Sequence, residues 1–412
     1  MVTGRQNCHV VASTQTREKT LSEKDGREIK LRSLGARVIP ALREGLHDLF
    51  HPSRKNLPSL DVLRSAAIIL VLTEHYLEYF EADRAVRNFP LFRWGWTGVD
   101  LFFVLSGLLI GSQLWKELEH TGRIRIGHFL LRRGLRIWPL YYAFVLLAAA
   151  AYFRGAGISG IWSDVGFLSD FFPHKVAGGW SLSTEEQFYV LSPILLSLFA
   201  IRLSPRRLWV IPLVAVAALV SVRAFIVARS AMTVAELHQK LYFPIYTHAD
   251  GLAVGLFLAW LSVFHKDWLT SKARAAMAAS VMFIAGVFLY RASPLLLNFT
   301  ALGLIYGSLE LYGISSLPRP RLLNWTGFYF VSRLSFGLYL DHFVVLSVLS
   351  PRLSDWARRG VPSLLCAYLL CLAVSLLAAM ITFLFIEWPF LRIRARWVDA
   401  DKLAASHATS VG

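Results

Sequence analysis

Long apolar segments separated by short basic or Pro- and Gly-containing connections run through most of this 412-residue chain, and nothing else in it constrains the fold as tightly. Inside lipid a backbone has no water to bond, so each segment must close its hydrogen bonds internally, as a helix does. Candidate spans run over 60–80, 97–114, 136–153, 181–201, 207–228, 241–264, 275–290, 294–313, 332–350 and 362–386. They predict an all-α integral membrane protein, a polytopic bundle of about ten transmembrane helices. Hydrophobic residues make up 55% of the chain and charged residues 17%, with a mean hydropathy of +0.50, which excludes an ordinary soluble enzyme.

A net charge of +16 can signal nucleic acid, but here the Lys and Arg are scattered between apolar segments and form no stripe. Orientation accounts for them better. With the N-terminus inside, Arg123, Arg125, Arg132, Arg133 and Arg136, then Arg202, Arg206 and Arg207, then Lys266, Lys272 and Arg274, and finally Arg392, Arg394 and Arg396 fall on the cytoplasmic side. Arg352, Arg358 and Arg359 fall outside and run against that pattern. Trp94, Trp96, Trp162 and Trp180 are expected at the outer interface. The cysteines, Cys8, Cys366 and Cys371, offer no disulfide framework and no metal-binding pair, and no metal is expected. Residues 1–57 are expected to be a largely disordered cytoplasmic tail with a brief amphipathic run from Leu34 to Phe50, residues 58–396 one membrane domain, and residues 397–412 a short cytoplasmic tail.

Ionisable groups inside spans are expensive and usually face a cavity or a partner. Arg64 and His75 lie eleven residues apart in the first span, a rise of roughly 16 Å over almost three turns, so they share a helix face at different depths. Arg64 suits a phosphate-bearing ligand and His75 a general base; a snorkelling anchor and an interfacial histidine are the bland equivalents. Arg133 and Arg136 in LRRGLRIWPLYY are neighbours on one face, able to clamp a phosphate or simply to fix topology. In WSLSTEEQFYVLSP, Ser181 or Ser183 reads as an N-cap, with Glu185 and Glu186 in the first turn; capping explains one acid better than two. Asp100, Asp250, and Asp341 beside His342 add further polar groups that together predict a polar cavity.

Taken in order, these segments resemble the acyltransferase 3 family of membrane acyltransferases. The resemblance rests on LPSLDVLRSAAIILVLTEHY with Arg64 and His75, GWTGVDLFFVLSGLLIG, FLLRRGLRIWPLYY with its RxxR pair, GGWSLSTEEQFYVLSP, DGLAVGLFLAW, SFGLYLDHF and IEWPFLR, and covers about residues 57–396. Val62 and His248 depart from the family's pattern, the latter leaving the role of the loop before Asp250 open. No length remains after residue 396 for the hydrolase-like domain some members carry, so a minimal member with a long N-terminal tail is expected.

The resemblance implies an enzyme of a bacterial cytoplasmic membrane, with both termini cytoplasmic, that moves an acyl group, often acetyl, from cytoplasmic acyl-CoA to a hydroxyl of a carbohydrate-type acceptor such as exopolysaccharide or lipopolysaccharide. No permanently bound cofactor is implied; acyl-CoA is a substrate. By the same resemblance His75 is the catalytic base, Glu185 and Glu186 match the family's paired acids and join His75 as catalytic positions, with orienting His75, binding the acceptor and capping the helix all open as their task, and Arg64, Arg133 and Arg136 bind the donor. Asp100, Trp180, Asp250, Tyr339 and His342 become acceptor-binding or structural polar positions. The rival reading is a transporter exporting a lipid-linked sugar or metabolite, which predicts a repeat between the two halves that the sequence does not show.

Overall fold

The structure, a computed structural model, describes residues 39–52, 57–82, 84–87, 89, 92–153, 160–315, 317–318 and 320–397. The chain divides into two compact units, Met1–His51 and Pro52–Gly412. In the first, residues 39–50 are helical; the rest of the expected tail up to residue 38, and residues 398–412, lie outside the described residues.

The second unit is helical among its described residues. Its principal helices are α1 (Pro58–Tyr79), α2 (Gly98–Thr121), α3 (Ile126–Phe153), α4 (Gly179–Ala200), α5 (Val210–Ala228), α6 (Val234–Tyr242), α7 (Asp250–Phe264), α8 (Lys272–Ala292), α9 (Asn298–Ile314), α10 (Thr326–Ala357) and α11 (Val361–Thr382). A π-helical turn, Phe383–Glu387, follows α11, and the chain stays helical to Trp397. Six stretches among the described residues are long and apolar enough to cross a membrane: Gly95–Thr121, Ile126–Ala151, Pro205–Ala228, Lys272–Ala292, Thr326–Ala357 and Val361–Trp397. The other predicted spans coincide with α1, which carries Asp61, Arg64, Glu74 and Glu78, with α4, whose first half is polar, and with α7 and α9, which are shorter. The architecture is that of a multi-pass membrane protein.

Local chemistry sets several boundaries. Pro58 opens α1, where its missing N–H costs nothing. Gly122, in the left-handed region at φ 70°, closes α2 and donates its N–H to Leu118 O. Thr233 and Glu236 form a capping box on α6. At the centre, α2 and α7 approach backbone to backbone. A Cβ at Gly107 would meet Leu252 O at 2.2 Å, and one at Gly255 would meet Val104 O at 2.1 Å. α1 packs against both α2 and α10, α10 against α11, and α9 against α7 and α8, which leaves α1 flanked on two sides.

Two expectations need correction. The span predicted over 241–264 is broken: α6 ends at Tyr242, and helix resumes at Asp250. Pro244 lacks a helical N–H, and side chains satisfy the freed backbone instead, with His248 Nδ1 donating to Tyr242 O (2.5 Å) and Ile245 N–H to Asp170 (3.3 Å). Such a break is tolerated at membrane depth only where protein surrounds it. The serine capping of α4 is also absent. The helix starts earlier, with Gly178 (φ 74°) as N-cap and no side-chain cap. Ser181 and Ser183 therefore sit inside the helix and bond sideways, to Tyr339 Oη (2.5 Å) and from Ser169 N–H (3.2 Å).

Candidate functional site

Arg64 and His75 of α1 serve different cavities. Arg64 lines a cavity of about 260 Å³ together with Arg133 and Arg136 of α3, Ser106 of α2, and Glu185 and Tyr189 of α4. Its single carboxylate is occupied: Ser106 Oγ donates to Glu185 Oε1 (2.7 Å) and Tyr189 Oη to Oε2 (3.0 Å). Three guanidiniums thus share a partly enclosed space with one carboxylate already committed to hydroxyl donors. Planar forks of N–H donors in a site of lowered dielectric suit an anion, and phosphate oxygens match them best, although Asp61 beside Arg64 and Glu387 near Arg136 supply part of the balancing charge. Arg333 of α10, which sequence reasoning passed over, stacks its guanidinium on Phe383 of the π-helical turn at 5.2 Å. Glu387 ends that turn fully inside the protein, 3.3 Å from where a Cβ on Gly337 would stand.

His75 lines a second cavity, of about 410 Å³, with Glu74 and Glu78 of α1, Trp96, Trp180, His238 and Tyr242. Val99 and Tyr339 line both cavities, so the two meet at the Tyr339 ring. Tyr339 is held there, its Oη bonded to Ser181 Oγ (2.5 Å) and donating to Gly178 O (3.1 Å). Gly178 needs its left-handed backbone and also has no room for a side chain, because a Cβ would lie 2.7 Å from Phe343 and 3.0 Å from Tyr339 Oη. The walls of the second cavity are aromatic on one side and acidic on the other. Burial pushes the pKa of His238 on α6 below its ordinary value, aided by His248, so this ring adds no positive charge to the wall near neutrality.

His75 Nδ1 lies 3.0 Å from His342 Nε2, and His342 Nδ1 lies 2.8 Å from Leu338 O. Phe343 tilts against the His75 ring at 4.5 Å. The histidine pair comes from α1 and α10, which pack on each other along their length. Neither Glu185 nor Glu186 bonds His75: the first belongs to the arginine cavity, and the second accepts from Trp138 Nε1 (3.3 Å) while its Oε1 is buried without a partner. Residues 185 and 186 point to different sides of α4 because adjacent helical positions are rotated by about 100°.

The remaining sequence candidates build the frame. Asp100 accepts from His248 Nε2 (2.9 Å), and His248 stacks on Phe299 at 3.7 Å. Asp250 is clasped by Arg223 of α5 through two bonds of 2.7 and 2.9 Å, with Thr300 as a further donor. Trp180, expected at an interface, is 8% exposed and packs against Tyr242, Phe243 and His248. Sequence reasoning missed Arg223, Glu74, Ser106 and Tyr189. Arg223 carried a signal, as a lone charge deep in the apolar run from Val210 to Ala228. Glu74 carried one too, immediately before His75.

A family model for the acyltransferase domain matches residues 57–382. The chain is 27% identical over 379 residues to the peptidoglycan O-acetyltransferase OatA of Listeria monocytogenes, covering 82% of this chain and 56% of that one. It is 26% identical over 371 residues to the O-acetyltransferase OatA of Staphylococcus aureus, covering 82% and 57%. The chain thus spans a little over half the length of the curated relatives it matches. No solved structure matches it.

Proposed function

The chain belongs to the acyltransferase 3 family, and from that premise we propose that it is a membrane O-acyltransferase taking an acetyl group from acyl-CoA on the cytoplasmic side. The acceptor is a hydroxyl of a carbohydrate-type molecule on the other side, in a bundle of about ten spans with both termini inside. One observation carries the reading: an arginine cavity and a histidine cavity at opposite ends of α1 that share Val99 and Tyr339. A donor with phosphates among Arg64, Arg133 and Arg136 needs an arm of roughly 16 Å to bring its thioester from the level of Arg64 to that of His75. A pantetheine chain is of that order.

In this reading His75 Nε2 removes the proton from the acceptor hydroxyl as its oxygen attacks the thioester carbon. The new C–O bond forms, the C–S bond breaks, and the proton passes from His75 to the departing thiolate. The aromatic wall of Trp96, Trp180 and Tyr242 suits the apolar face of a sugar ring, and the name of the Listeria relative points to the same acceptor class. Glu185 acts on the donor side, holding Ser106 and Tyr189 in place beside the arginines.

The test is release of free thiol from acetyl-CoA by the purified protein, with membrane extract as acceptor. His75→Ala should abolish release with the fold intact. Arg136→Ala should raise the donor KM by about tenfold or more, the loss of one or two charged hydrogen bonds. Normal turnover by His75→Ala removes the catalytic assignment. Failure of every preparation to bind or cleave acyl-CoA moves the transporter reading ahead.

A further inference from the structure

His342 holds a buried position, 1% exposed, and no carboxylate bonds it among the described residues. A charged imidazolium there would be unpaired and costly, so the ring is neutral and carries one proton. The carbonyl of Leu338 can only accept, which places that proton on His342 Nδ1. His342 Nε2 is therefore an acceptor, and the bond of 3.0 Å to His75 requires His75 Nδ1 to be the donor. Neutral His75 then has its lone pair on Nε2. That atom has no protein partner among the described residues, and its ring lines the larger cavity.

We propose that His342 is a positioning residue that fixes His75 in the tautomer with an unprotonated Nε2 facing the second cavity. A hydrogen-bonded chain, Leu338 carbonyl to His342 to His75, does the work that a buried carboxylate does behind a catalytic histidine elsewhere. It does so without placing a negative charge at membrane depth, where an unpaired carboxylate is expensive. When His75 accepts a proton on Nε2, its Nδ1–H remains bonded to His342, so neither ring must rotate. Phe343, tilted against His75 and 4.0 Å from His342 between centroids, keeps both ring planes in place.

This inference rests on His75 being the base, and its test separates the two. His342→Phe keeps an aromatic ring but removes the acceptor, whereas His342→Gln restores an acceptor near the position of Nε2. In the full-length protein, kcat for thiol release should fall by about 10²-fold or more in His342→Phe, with the donor KM unchanged, and His342→Gln should recover much of the loss. A second readout needs no turnover. Diethyl pyrocarbonate acylates an unprotonated imidazole nitrogen, and peptide-mapped carbethoxylation of His75 should be severalfold slower in His342→Phe, where the tautomer is no longer fixed, than in wild type. Wild-type kcat and wild-type labelling of His75 in His342→Phe would overturn the proposal, while loss of activity in His75→Ala would still leave His75 as the base. If wild type shows no transfer, the base reading fails and the labelling alone decides whether His342 sets the tautomer.

Discussion

Arg223 illustrates how one side chain can decide a region without touching substrate. It is fully buried in α5 and donates to Asp250, to Thr300, and to the backbone carbonyls of Thr247 and Leu296, tying four segments together. Removing one partner strands the other charge, so Arg223→Leu should lower stability by about 3–5 kcal/mol. The double variant Arg223→Leu with Asp250→Leu should regain a large part. Thermal unfolding of the detergent-solubilised protein checks both, and equal loss in single and double variants would mean that the hydrogen bonds to Thr247 and Leu296, not the charge pair, hold the region. At this scale the sequence disclosed groups by their cost. A charge in an apolar stretch, or two arginines three apart, can be seen in one segment. The partner of His75 cannot, because His342 lies 267 residues away and neither ring reports its neighbour.

Among the elements, α2 and α7 form the tightest pair, and their contact depends on two glycines. Gly107→Ala would push a methyl into Leu252 O, where backbone cannot yield as a flexible side chain can. The expected result is separation of the helices, displacement of Asp100 from His248 and loss of monodisperse protein in size-exclusion chromatography. Gly127→Ala on α3 is the comparison, since nothing lies within 4 Å of its added Cβ; there the better helix propensity of Ala, about 1 kcal/mol, should leave stability equal or higher. Matching behaviour of the two variants would refute the close-approach argument. Element positions were largely legible from hydropathy, but the break after Tyr242 was not. The apolar run continues through Phe243, Pro244 and Ile245, and the side chain of His248 within the break, together with that of Asp170 brought from another part of the fold, makes a non-helical backbone tolerable there.

For the whole molecule, the proposed orientation places the arginine cavity on the inner side and the Glu74, Glu78 and Trp96 wall on the outer. In a background with Cys8→Ser and Cys366→Ser, Ser204→Cys, exposed after α4, should resist a membrane-impermeant thiol reagent in intact cells and react after lysis. Ala231→Cys, exposed before α6, should react in both. The reverse pattern would invert the molecule and deliver the donor from the wrong side. What the sequence settled alone was the helical class, the approximate place of each apolar helix, and which residues pay a penalty for being buried, because backbone bonding and desolvation act within one segment. Only the tertiary structure decided that Arg64 and His75 face different cavities, that Glu185 stands with the arginines, and that Asp100 and Asp250 are bound into the frame. Those assignments depend on which helices lie side by side, and packing between helices leaves almost no trace in the hydropathy of either one.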